Sequence, residues 1–184
     1  MAERRSEKDA PLPWRVPVAV EDIAETGQHF KLVADAEVRA ALTRIAGLRE
    51  LPRLQADFEV TRHGAAGLRV AGRVSATVGQ SCVVTLEPLA NEVAEAIDLI
   101  FLPPARAEAE GTASPVPLDW DPDDVEPLIG GSIDLGALAA EFLLLGIDPY
   151  PRKPDVVFAS PPDALPADGP FAALAALKKG RDGH

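Results

Sequence analysis

Apolar and polar residues alternate along Leu54-Gln55-Ala56-Asp57-Phe58-Glu59-Val60-Thr61, and again from Leu68 through Val70, Val74 and Val78. A period of two sends neighbouring side chains to opposite faces of a strand. With His63-Gly64-Ala65-Ala66-Gly67 as the connection, the two runs predict a β-hairpin. Leu54, Phe58, Val60, Leu68, Val70, Val74 and Val78 form its core set, and Arg53, Arg62, Arg69 and Arg73 fall on the wet face or at the strand ends. Counting outward from a turn centred near Ala65 places Asp57 opposite Arg73. A cross-strand ion pair of that kind contributes only about 0.2–1 kcal/mol.

Other elements follow from weaker patterns. Trp14 to Val20 reads as a strand at an edge, because Pro17 has no N–H for a ladder. His29 to Val33 reads as a second short strand. Asp35 can cap a helix carrying Val38, Leu42 and Ile45 on one face, with Gly47 as its stop. Glu92 to Leu102 predicts a further strand with Val93, Ile97, Leu99 and Phe101 on one side, and Glu95 breaks the alternation. Ser132 or Asp134 can cap a second helix with Leu135, Leu138, Phe142 and Leu145 on one face, ended by Gly146 and Pro149. The expected fold is α+β: a hairpin-rich antiparallel sheet with two main helices and a flexible, Pro-rich C-terminal tail.

Proline sets the expected boundaries. Most of the 18 prolines lie in 103–127 and 149–170. Residues 1–12 are expected to be a disordered N-terminus and 13–147 one domain with a mobile loop at 103–117. Residues 148–184 are expected to be a Pro-rich tail ending in a short amphipathic helix. In that helix Phe171, Leu174 and Leu177 make an apolar stripe followed by Lys178. The stripe either folds back on the domain or enters a partner's groove.

Composition narrows the function. No run of 18 apolar residues exists, so no membrane span is expected. The N-terminus is charged with no apolar stretch behind it, and the single thiol, Cys82, cannot form an internal disulfide; both point to the cytoplasm. Cys82, His29, His63 and His184 have no metal-ligand spacing, no phosphate-binding glycine loop occurs, and no nucleophile has a recognisable base. No enzyme activity, metal or cofactor is therefore expected. Net charge is −11, unevenly placed: residues 39–79 carry +4 and residues 80–150 carry −13. The acidic half repels phosphate and attracts a basic partner.

Three segments carry a family pattern. The first is Gln80-Ser81-Cys82-Val83-Val84-Thr85-Leu86-Glu87-Pro88-Leu89. The second is Asp124 to Gly136, with Asp134-Leu135-Gly136 leading into a helix that contains Glu141. The third is Pro170 to Lys178. In content, order and spacing the chain resembles the YceD family, the large ribosomal RNA subunit accumulation proteins, and within it the alphaproteobacterial branch. Many members have Cys-x-x-Cys at the first segment, where this chain has Cys82 and Thr85; that departure speaks against a thiolate zinc site. The resemblance implies a non-enzymatic ribosome biogenesis factor whose partner is large-subunit ribosomal RNA or a pre-ribosomal particle. The alternative is a protein-binding module that carries a basic large-subunit ribosomal protein. Arg53, Arg62, Arg69 and Arg73 are the candidate RNA contacts, and Phe171, Leu174, Leu177 and Lys178 the candidate docking tail.

Overall fold

The computed structural model describes residues 12–64, 66–103 and 125–157. The chain divides after Lys153 into two units, and the first holds the sheet and both helices. Its strands are β1 (Pro17–Ala19), β2 (Gln28–Val33), β3 (Glu50–His63), β4 (Gly67–Ser81), β5 (Pro88–Leu102), β6 (Val125–Pro127) and β7 (Ser132–Asp134). The helices are α1 (Ala36–Ile45) and α2 (Leu135–Gly146). The fold is α+β, as the pattern predicts.

A five-stranded sheet runs in the order β2-β3-β4-β5-β6, and β1 pairs with β7 in a separate ribbon. All pairings are antiparallel except β5 with β6, which is parallel. The predicted hairpin is its centre: Val60 opposes Val70, and Asp57 opposes Arg73 as counted from the turn. All seven predicted core residues of the hairpin are buried. The inner face continues onto β5 through Val93 and Ile97, and α1 and α2 supply Leu42, Leu135 and Leu143 to the same core.

Four local expectations change. β5 begins at Pro88, four residues earlier than the alternation indicates, because it stays paired to β4 as far as Ser81. Glu95 keeps its inward position, opposite Val74, beside Gly146, where a Cβ would stand 2.6 Å from the Glu95 carboxylate. The second helix is rotated: Leu145 is 77% exposed, while Ala139, Ala140 and Leu143 are buried with Leu135 and Leu138. A helix apolar on all sides has no polar stripe to fix its inward face, and the alanines allow the closest approach. On α1, Ile45 is exposed and Leu42 is the buried member of its stripe.

The expectations for residues 1–11, for the loop from 104, for the acidic run 119–124 and for the amphipathic segment at 170–179 lie outside the described residues.

Candidate functional site

Among the described residues no helix packs on the outer face of the sheet, and three of the four hairpin cations lie on that face. The register places Lys31, Arg53, Arg69 and Arg73 on this face with Asp57, Glu59, Glu92 and Asp98. Arg53 Nη2 lies 2.7 Å from Glu92 Oε2, and Glu92 also accepts from Thr77 Oγ1 at 2.7 Å. Thr77 and Arg53 together hold the Glu92 carboxyl below the usual carboxylate range. Arg69 engages Asp98 through two parallel bonds, Nε to Oδ1 at 2.8 Å and Nη2 to Oδ2 at 2.7 Å. That fork lowers the Asp98 pKa and raises that of Arg69. Arg62 lies at the strand end, where its Nε donates to the Ile23 carbonyl at 2.7 Å and fixes the crossing into β2. Asp57 faces Arg73 in register, but its closest ion-pair contact is His29 Nε2, at 3.9 Å. The predicted Asp57–Arg73 pair is therefore a register neighbour and not an ion pair.

The first family segment folds as a knuckle between β4 and β5. The Cys82 amide donates to the Glu87 carbonyl and the Leu86 amide to the Cys82 carbonyl, both at 2.9 Å. Leu86 turns the chain at φ 61 with its side chain 76% exposed. Cys82 is buried. Its sulfur accepts from the Thr85 hydroxyl and from the amides of Lys153, Thr85 and Val84, which draw the thiol pKa down to about 6 against the opposing effect of burial. Thr85 thus occupies the second cysteine position as a donor to the first. The knuckle also anchors the chain after α2. Val83 N donates to Pro151 O at 2.9 Å, and Lys153 Nζ meets Glu87 Oε2 at 2.7 Å, holding that carboxyl low. Gln80, the one buried polar residue among those described, donates to the Asp148 carbonyl at 2.8 Å and accepts from Asn91 at 2.9 Å. Pro88 opens β5.

The second segment joins the N-terminal strand to α2. Asp134 caps the helix, accepting from Ala137 N at 3.1 Å; it also accepts from Val16 N at 2.8 Å and pairs with Arg15. Leu135 is fully buried, and its amide donates to Val16 O at 3.0 Å. Gly136 lets the Trp14 backbone lie against the helix: a Cβ there would stand 2.8 Å from Trp14 O. One carboxylate therefore serves three donors, and Asp134→Ala removes a helix cap and a charge-assisted bond together. The expected loss is on the order of 2–4 kcal/mol. Asp134→Asn, which keeps an acceptor, loses less. Denaturant unfolding of both variants checks this, and equal losses would mean the charge and not the cap dominates.

Glu141, further along α2, lines a groove of about 210 Å³ with Phe101, Pro127, Ile129, Ile133 and Leu138. The sequence marks Glu141 as a motif residue but does not place it in a groove, because the two short strands that form the opposite wall carry no alternating pattern long enough to read. Phe171, Leu174, Leu177 and Lys178 fall outside the described residues. Among the described residues, no group of three His, Cys, Asp or Glu side chains is placed to hold a metal ion, and no helix is long and apolar enough to cross a membrane.

No curated protein and no solved structure matches the chain. The knuckle, β5, the Asp134 cap and α2 all lie within residues 70–178, which match the model of the family described as large ribosomal RNA subunit accumulation protein YceD; more than half the chain is covered, and the chain belongs to that family.

Proposed function

We propose that this protein supports large-subunit ribosomal RNA accumulation without catalysis, in the cytoplasm, by holding a basic protein component of the assembling particle. The observation that carries this reading is the charge balance of the sheet face that bears Arg53, Arg69 and Arg73, where Asp57, Glu59, Glu92 and Asp98 lie among them. Arg53 and Arg69 are committed to Glu92 and Asp98, and Arg62 to a backbone carbonyl. Phosphate binding gains from clustered, uncompensated Lys and Arg, whereas residues 80–150 carry −13. The polar groups of the family segments at Gln80, Cys82, Glu87 and Asp134 are engaged in bonds that hold the fold. Crosslinking from cells, with identification of both RNA and protein partners, tests the reading; a partner set of RNA alone would overturn it.

The competing reading, direct RNA contact by the hairpin, has its own test. The double variant Arg69→Ala, Arg73→Ala is expected to keep large-subunit RNA at its normal level in cells and to stay folded, since a surface ion pair such as Arg69–Asp98 contributes only about 0.2–1 kcal/mol. Reduced RNA binding with a flatter salt dependence, in a folded variant, would establish the RNA-contact reading instead.

A further inference from the structure

The groove between β6, β7 and α2 combines an apolar lining with a carboxylate, Glu141, that has no ion-pair partner among the described residues. Its walls are Phe101 from β5, Pro127 from β6, Ile129 in the turn before β7, and Ile133, Ala137 and Leu138 from β7 and α2. Ile129 is 73% exposed, so an apolar side chain is presented to solvent at the rim. Glu141 lies along the groove, and Glu126 on β6, outside the lining itself, is the register partner of the groove residue Phe101. The Glu141 pKa is raised, first by desolvation and then by the charge of Glu126. Two carboxylates close enough to repel, one of them partly desolvated, favour an arriving cation. The other carboxylate of the lining, Asp134, is already paired with Arg15. In the sequence, Asp121, Asp123 and Asp124 immediately precede β6 and add negative charge to the same stretch.

We infer that this groove is the docking site for a cationic amphipathic protein segment, one that seats apolar side chains against Ile129, Phe101 and Leu138 and places Lys or Arg over Glu126 and Glu141. The inference rests on the proposed function and specifies which surface takes the basic partner. An RNA strand fits badly here, because Glu126 and Glu141 repel phosphate. An acidic or purely polar segment would leave either the carboxylates or the apolar lining unmatched.

The test uses the full chain with a short synthetic peptide of leucine and lysine as the probe, and control peptides of leucine with glutamate and of serine with lysine. Binding is followed by fluorescence anisotropy and mapped by amide and methyl NMR shifts. The leucine–lysine peptide is expected to bind saturably, to move the signals of Ile129, Ile133, Ala137 and Leu138, and to bind more weakly as salt is added. Glu126→Gln with Glu141→Gln is expected to weaken it about tenfold. Ile129→Ser, at an exposed position, weakens it by a similar factor through lost apolar burial. Equal binding of either control peptide, shifts that map elsewhere, or affinity unchanged in the carboxamide variant would overturn the inference. So would groove signals that respond to RNA, to protein concentration, or to removal of residues 165–184 but not to the peptide; each names a different occupant. The proposed function is read separately by the crosslinked partner set. A basic protein partner found in cells, with no response in the groove, would reject this surface alone.

Discussion

Gly72→Ala is expected to destabilise the protein more than any surface change, by about 3 kcal/mol or more. Gly72 sits in the middle of β4, paired with Phe58 on one side and Ile97 on the other. A Cβ built there would stand 2.1 Å from the Asp57 carbonyl oxygen and 2.8 Å from Phe58 Cδ1. Neither neighbour can move cheaply. The carbonyl belongs to the β3 backbone, and Phe58 is the largest fully buried side chain among the described residues. The methyl must therefore push β3 away from β4 at the centre of a long antiparallel pairing, or drive the Phe58 ring out of its rotamer. Elsewhere in a strand the same change would help slightly, because glycine loses more freedom on folding than alanine. Here the steric cost exceeds that gain severalfold. Urea unfolding measures the difference. A variant as stable as the parent would mean that the strands separate locally at little cost and that the hairpin is not the rigid centre of the fold.

Gly72 also shows what the chain discloses and what it conceals. The hairpin is legible because two long runs keep a period of two, and a register shifted by one residue would bury its charges. Asp57 and Arg73 can thus be matched by counting. What the alternation does not reveal is that Gly72 is a point of close approach, since a glycine inside a regular run reads only as a weak strand position. The helix caps Asp35 and Asp134 are legible for a chemical reason: a short side-chain acceptor before an apolar run satisfies free amides whatever surrounds it. The inward face of α2 is not, because nearly every position is apolar. β6 and β7, with three residues each, are set by tertiary pairing and carry no period to detect.

The candidate site follows the same division. Arg53, Arg62, Arg69 and Arg73 can be placed near the strand surface from sequence, but the partners of the first three lie on β5 and in the crossing before β2, so their neutralisation depends on strand order. The knuckle is visible as a motif, and its chemistry is not. Only the fold brings Lys153 to Glu87 and its amide to Cys82, across more than sixty residues of chain. The groove is the extreme case. Glu126 and Glu141 belong to an acidic stretch that reads as ordinary solvated charge until the sheet edge and α2 set them against an apolar lining.

Removing residues 165–184 is expected to leave the described unit folded while large-subunit ribosomal RNA in cells falls sharply. Every residue of the described core and of the apolar groups packed on it lies between Leu12 and Ile147. That core holds its own sheet and both helices, so the melting temperature is expected to change by no more than a few degrees. The missing segment nevertheless contains Phe171, Leu174 and Leu177 at helical spacing, behind Pro170 and ahead of Lys178 and Lys179. Proline suits a first helical turn, and lysines suit a last one. Isolated helices shorter than about 12–15 residues are marginal in water, so an apolar stripe of this spacing gains from a surface that covers it. Burying three such side chains contributes about 4–9 kcal/mol before the cost of ordering, enough to decide whether a partner is retained. The family match runs through residue 178 and so includes this stripe. Thermal melting and an RNA-abundance measurement on the same truncation separate the outcomes. A collapse in melting temperature would assign the stripe to the protein's own core. Normal stability with normal RNA would show that the accumulation role resides in the preceding residues, and that the stripe has no part in it.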